Sequence, residues 1–454
     1  MTLVGPDAPP GSPPAPPSGS GGGGPGRDGG EPVAGPSRRR LSARMIAVAV
    51  AVALVLAGNA AALVLLQDDD DLVAGEAPAP ASTTVPTTAE PEPSPPPSDP
   101  APAPSTTTTV ATTPLGRTVA ELSAFVADQR ELEFLRPVEV ELLGDEAFVD
   151  RLLAGSEENR ADTDNAEKVL RALQLIEPGI DLFDTFRSFY GAAVLGFYDP
   201  ELDELVLRGT DLTPYVRSTL VHELSHALDD QHFELHRPEV DEADDESALA
   251  FSALIEGVSV TIENAYTQSL SSSEQEQVSA EAAEFASRAA RTPIPPIVTQ
   301  LAQFPYLFGP FFLGALVEEG REPRVDAAFR DPPTTSEEIL DPSVYLRGEP
   351  PVSVPQPGDE GLVIDQGSYG QWALYLTLDH FLDSEVANEA SDGWGGDSYV
   401  AWDEGGRVCV RMAYAMDSST DLDQLDSAWR RWADAHGDTS VERSADLVTV
   451  TACG

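Results

Sequence analysis

Apolar positions recur along this chain at two spacings, and one apolar run is unbroken. The run is Met45–Leu66, uncharged and with one polar side chain, Asn59, long enough to cross a bilayer as a helix. Helical spacing marks Val119–Glu131, Asp145–Leu153, Ala166–Leu175, Leu182–Tyr190, Pro214–Asp230, Asp244–Ser269 and Ser273–Ala290. Shorter helical candidates are Val325–Phe329, Thr335–Ile339 and Gln366–Leu382, and Asp421–Ala435 is amphipathic through Leu422, Leu425, Trp429 and Trp432. Ile297–Val317 is apolar and aromatic, but Pro305 and Pro310 make it a poor membrane span, so it reads as a buried core helix. Strand spacing marks Pro137–Leu143, two short strands within Ala193–Leu207 with a turn at Asp199–Asp203, and then Gly393–Trp402, Val408–Met416 and Asp446–Cys453. The pattern predicts an α+β fold, mostly helical, with a small mixed sheet.

The flanks of the apolar run divide the chain. Residues 1–44 are mostly Pro, Gly and Ser and cannot bury enough surface to offset ordering, which predicts a disordered tail. Arg38, Arg39, Arg40 and Arg44 precede the run, placing that tail in the cytoplasm and the rest outside, with residues 45–66 as a single membrane helix. A cleaved signal peptide is the alternative, but Ala61–Leu66 carries the apolar run on past Gly58 and Ala60, which favours a retained anchor. Residues 67–117 are rich in Pro and Thr and form an extended extracellular stalk. Residues 118–454 hold the folded domain.

Charge removes one class of partner. Against 77 Asp and Glu stand 27 Lys and Arg, a net charge of -50, whereas a nucleic-acid binder needs a basic face. Two cysteines, Cys409 and Cys453, lie in strands that can pair and bring the sulfurs within bonding range; two free buried thiols are the alternative.

The chemistry concentrates in Leu220–Phe233, LVHELSHALDDQHF. On a helix, His222 and His226 lie one turn apart on one face and can bind one zinc ion, with Glu223 as general base toward a water. A catalytic zinc needs a third protein ligand. His232 stands where a longer motif has its third His, but that motif turns the chain on a Gly, and here the position is Asp229. Glu256, on the next long helix among Leu254, Ile255 and Val258, is the preferred third ligand; His236, Asp244 and Glu246 are weaker. Asp229 or Asp230 is placed to orient an imidazole, and Tyr198, Tyr345, Tyr369 and His380 are candidate donors to an oxyanion.

Four stretches together carry a resemblance: GFYDPELDELVLRG, TLVHELSHALDDQHF, ALIEGVSVTIENAY and, more weakly, GWGGDSYVAW. They resemble an uncharacterised bacterial family of gluzincin-type zinc metallopeptidases, over most of the chain from Thr118 onward. The resemblance implies a zincin-like fold, one Zn2+ on His222, His226 and Glu256, and Glu223 as the base. It also implies that Gly196–Leu207 supplies an edge strand beside the cleft, on which a substrate adds as a further strand. The chain departs from its relatives at Val258, where many have Asp, and at Asp341-Pro342, where a His-Pro pair is expected. The expectation is a membrane-anchored, outward-facing zinc peptidase acting on protein or peptide substrates. The alternative is a non-catalytic cell-envelope binding or scaffolding protein on the same fold.

Overall fold

The computed structural model describes residues 113–241 and 245–454. The expected tail, the membrane helix, the stalk as far as residue 112 and Asp244 lie outside the described residues. The first helix, α1 (Pro114–Arg130), begins inside the expected stalk. Thr113 caps it by accepting from the Gly116 N–H, and Pro114 suits the first turn, so among the described residues regular structure begins at 114.

β1 (Val140–Leu143), α2 (Asp145–Leu152), α3 (Arg160–Ala172) and α4 (Leu182–Ala193) follow. Then come the hairpin strands β2 (Gly196–Asp199) and β3 (Glu204–Arg208). β1 runs parallel to β3 and β2 antiparallel to it, a mixed three-stranded sheet in the order β1-β3-β2 with β2 at one edge. The next helix, α5 (Pro214–Phe233), holds both histidines. Thr213 caps its start and Glu234, at φ 55, ends it. α5 is buried on almost every side, so its polar residues His222, Glu223, Ser225, His226 and Asp229 all need partners inside the protein.

After one helical turn at Pro238–Asp241 come α6 (Asp245–Ser269), α7 (Ser272–Ala289) and α8 (Pro296–Gly320). α8 keeps both internal prolines and is not wholly core: Phe304, Tyr306, Phe312 and Leu316 are buried, while Leu307 and Phe311 face outward. α6 and α8 touch backbone to backbone. A Cβ on Gly309 would lie 2.2 Å from the Ala253 carbonyl oxygen, and one on Gly257 would lie 2.4 Å from that of Gly309. The short helices α9 (Glu322–Arg330), α10 (Ser336–Leu340) and α11 (Pro342–Arg347) close this half. The guanidinium of Arg130 is buried between Asp229 and Asp326, at 2.8 and 2.9 Å, and lies over the rings of Phe233 and Phe329. It ties α1, α5 and α9 together.

Gln366–Leu382 is not one helix as expected. It divides into β4 (Leu362–Gly367) and α12 (Gln371–Asp379). Between them the buried Asp397 carboxylate accepts from the N–H groups of Tyr369 and Gly370. Gly370 has φ 82, and the Glu246 carboxylate fills the space a side chain there would need. α13 (Ser384–Ser391), β5 (Trp394–Asp403), β6 (Val408–Met416), α14 (Ser419–Ala435), β7 (Thr439–Arg443) and β8 (Val448–Cys453) complete the chain. β7 is absent from the sequence reading because Thr-Ser-Val-Glu-Arg offers an edge strand with a single apolar side chain. The second sheet is antiparallel, in the order β4-β5-β6-β8-β7, so the fold is α+β with two sheets where one was expected. Its core joins Trp394, Tyr414, Trp429 and Trp432.

Cys409 and Cys453 face each other across β6 and β8 and form a disulfide, 44 residues apart in sequence. Closing a loop of that size stabilises a fold by about 2–4 kcal/mol. Replacing both cysteines by Ala is therefore expected to lower the unfolding free energy by about that amount, read from the urea midpoint.

An acidic cluster beside α10 makes a second expectation. Burial, aided by Asp417, Glu349, Glu338 and Asp341, pushes the Glu337 carboxyl up to about 8 from its ordinary 4.5. Between those values the folded chain binds more protons at this group than the unfolded chain, so its contribution to stability is lost as pH rises through the window. Glu337→Gln is expected to flatten the fall in urea midpoint between about pH 5 and pH 8; a slope equal to wild type would show that the carboxyl titrates normally.

Candidate metal centre

α5 and α6 cross so that three buried side chains converge. His222 and His226 lie one turn apart on α5, their ring centroids 4.7 Å apart and their planes at 81°. Nε2 of His222 lies 3.1 Å from one oxygen of Glu256, and Nε2 of His226 lies 3.5 Å from the other. His222 and Glu256 are fully buried, and His226 nearly so.

Each imidazole is aimed from behind. Nδ1 of His222 meets the Glu263 carboxylate at 3.2 Å, and Nδ1 of His226 meets the Ser259 hydroxyl at 3.0 Å, which also meets Ser225 at 2.7 Å. The Nε2 atom of each ring is thereby turned toward Glu256. Glu256, Ser259 and Glu263 recur at three- and four-residue spacing, one stripe of α6, so a single helix supplies the carboxylate and both orienting groups.

The donor set fits a divalent ion. Both Nε2 atoms and both Glu256 oxygens are buried without a hydrogen bond of full geometry, which a shared partner would relieve. One ligand atom from each residue lies within 4.8 Å of the others. Ligands about 2.1 Å from one tetrahedral ion stand about 3.4 Å apart; His222 comes near that spacing at one Glu256 oxygen and His226 at the other.

Burial disfavours a charged His222, but the Glu256 and Glu263 carboxylates outweigh it and raise its pKa to about 10. Burial, with the His222 charge, holds His226 well below its usual range. Burial pushes Glu256 up and, with Glu256 and Glu263 nearby, pushes Glu223 up to about 8. Three carboxyl groups around two imidazoles form a site short of positive charge.

Glu223 lies on α5 beside the edge strand. The Tyr198 backbone N–H donates to its carboxylate, and its Cγ packs against Gly196, where a Cβ would be 3.3 Å away. Its Oε1 has no hydrogen-bond partner and is available for a proton.

The other candidates lie elsewhere. His232 meets the Glu133 carbonyl at 2.8 Å, and Glu246 accepts from the N–H and hydroxyl of Ser336. His236 is outside the cluster. Asp229 serves Arg130, and Asp230 accepts from the Tyr198 hydroxyl, so neither orients an imidazole. The Tyr198 hydroxyl is thus engaged, as are those of Tyr345 with the Asp331 carbonyl and Tyr369 with Thr377. His380 packs edge-on against Phe381. Val258 is buried in the core, and Asp341 caps α11 through the Ser343 N–H.

The phenol that reaches the cluster is Tyr306 of α8. Its ring lies nearly parallel to that of His222, 6.4 Å away. Its hydroxyl points at Glu256 and lowers that carboxyl's pKa, although the contact falls short of full hydrogen-bond geometry. One sequence signal points to it: a buried Tyr in an apolar helix needs a partner for its hydroxyl.

Residues 361–453 match a domain of unknown function (DUF8575). That match covers the second sheet and its helices and excludes the His222, His226 and Glu256 cluster. No curated protein and no solved structure matches the chain.

Proposed function

We propose that this chain is a zinc-dependent peptidase of zincin-like fold, held at a membrane by Met45–Leu66 with its folded domain outside. One observation carries the reading: two imidazoles and a carboxylate, buried and without hydrogen bonds on their converging atoms, beside a second carboxylate on the same helix as the imidazoles. His222, His226 and Glu256 would hold zinc, which when bound would supply Lewis acidity toward a water and a peptide carbonyl.

The protein's own groups do the rest. Glu263 and Ser259 hold the two rings with Nε2 turned toward Glu256. Glu223 takes the proton of the attacking water and delivers it to the leaving nitrogen. Tyr306 is the donor for the carbonyl oxygen as charge builds on it. β2 is the edge strand of its sheet and lies beside Glu223, so an extended peptide adding to that strand would bring its backbone to the base.

The test is metal content and peptide cleavage by the purified full-length protein. Wild type is expected to hold one zinc per chain and to cleave a mixed peptide library, and Glu256→Ala to lose both. Zinc binding unchanged in Glu256→Ala would remove Glu256 from the ligand set. Bound zinc without cleavage of any peptide would favour a binding protein on this fold.

A further inference from the structure

A cavity of about 310 Å3 lies between α3, α4, α6 and α8 and the second sheet. At about 30 Å3 per water it is room for roughly ten waters, far more than a packing defect. Leu249, Phe186, Tyr190, Leu301 and Pro305 give it an apolar wall. Two helices carry residues of both the cavity wall and the cluster. Ser252 lines it and stands on α6 one turn before Glu256, about 6 Å along the axis. Pro305 lines it and immediately precedes Tyr306, and Tyr190 lies within electrostatic reach of the Tyr306 hydroxyl.

One polar atom on this wall points to a ligand. The Ser252 hydroxyl is buried, 4% exposed, and has no hydrogen-bond partner. A buried hydroxyl left unpaired is unfavourable unless something entering the cavity pairs with it. An occupant with an apolar body and one backbone amide satisfies both wall and hydroxyl. A polymer of such units is a peptide.

We infer that this cavity receives a large apolar side chain of the substrate, from the residue flanking the cleaved bond, while Ser252 bonds that residue's backbone. The inference rests on the peptidase reading and adds to it a substrate class: peptides with Leu, Phe or a residue of similar size at one position next to the cleavage point. Apolar pockets of this kind discriminate by about tenfold or more between a large side chain and a small one.

Two readouts on the full-length protein test this. The first is the residue preference in peptide-library cleavage by wild type and by Ala166→Phe, which narrows the cavity from α3, away from the cluster. Wild type is expected to favour Leu or Phe at one flanking position at least tenfold over Gly or Ser, and Ala166→Phe to shift that preference to small residues. The second is calorimetric binding of N-acetyl-phenylalaninamide to Glu223→Gln protein, with zinc content measured alongside. Ala166→Phe in that background is expected to weaken binding at least tenfold with zinc unchanged, and Ser252→Ala severalfold. Cleavage without an apolar preference, or binding indifferent to Ala166→Phe, overturns the assignment and leaves the peptidase reading standing. Binding abolished by Ala166→Phe in a protein that cleaves nothing supports the cavity and sinks the peptidase reading.

Discussion

Glu223→Gln is expected to lower peptide cleavage by about 10²–10⁴-fold while one zinc per chain remains bound. The argument is geometric. Glu223 is absent from the converging ligand atoms, which belong to His222, His226 and Glu256. A Gln side chain has the same shape, and its carbonyl oxygen can still accept from the Tyr198 N–H that holds the wild-type carboxylate. It cannot take up a proton. The substitution also removes one of three carboxyl groups from a buried site, so stability at neutral pH is expected to hold or rise. Both quantities come from one preparation: zinc by atomic absorption and hydrolysis by mass spectrometry. Loss of zinc together with activity would make Glu223 a ligand and not a base.

Gly309→Ala is expected to cost about 3 kcal/mol of unfolding free energy and to weaken zinc binding with it. The added methyl would sit 2.2 Å from a backbone oxygen of α6, and backbone cannot swing aside as the tip of a side chain can. The two helices must separate. That separation acts on the cluster directly, because Gly257 follows Glu256 and Tyr306 stands one turn before Gly309. Gly314→Ala is the internal comparison. It lies on the same helix with nothing within 4 Å of the new methyl, and there Ala is expected to stabilise by about 0.5–1 kcal/mol, the usual helical preference over Gly. Opposite signs for two identical changes five residues apart isolate the close approach of α6 and α8 from propensity. Two stabilising results would show that the helices accommodate the methyl without parting.

The two substitutions probe parts of the site with very different sequence legibility. His222, Glu223 and His226 were visible because their spacing and the helix period coincide, a local relation that survives in one dimension. Glu256 was readable at longer range because a charged residue among Leu254, Ile255 and Val258 cannot face water on a buried helix. Its companions Ser259 and Glu263 follow from the same stripe once Glu256 is placed, but a Ser and a Glu on a helix have many ordinary uses and raised no signal alone. For Tyr306 the apolar helix around it signals a hydroxyl in need of a partner, but not which one. Its approach depends on Gly257 meeting Gly309, a contact between distant segments that neither segment announces. Asp229 and Asp230 erred the other way, adjacent in sequence to the histidines but turned toward Arg130 and Tyr198. In the fold, long periodic helices were placed within a few residues. The errors fell at Gln366–Leu382, where a tertiary carboxylate decides the break, and at β7, an edge strand with one apolar side chain.

The stripe Glu256, Ser259 and Glu263 has a mechanical consequence. Because one rigid rod carries all three contacts to the α5 rings, a slide or rotation of α6 cannot detune one of them by itself. Ligand geometry and helix register are a single coordinate. If the cluster holds an ion as proposed, its affinity would gauge where α6 lies against α5: conditions that shift the rod would abolish binding in one step, and a bound ion would lock the rod in place.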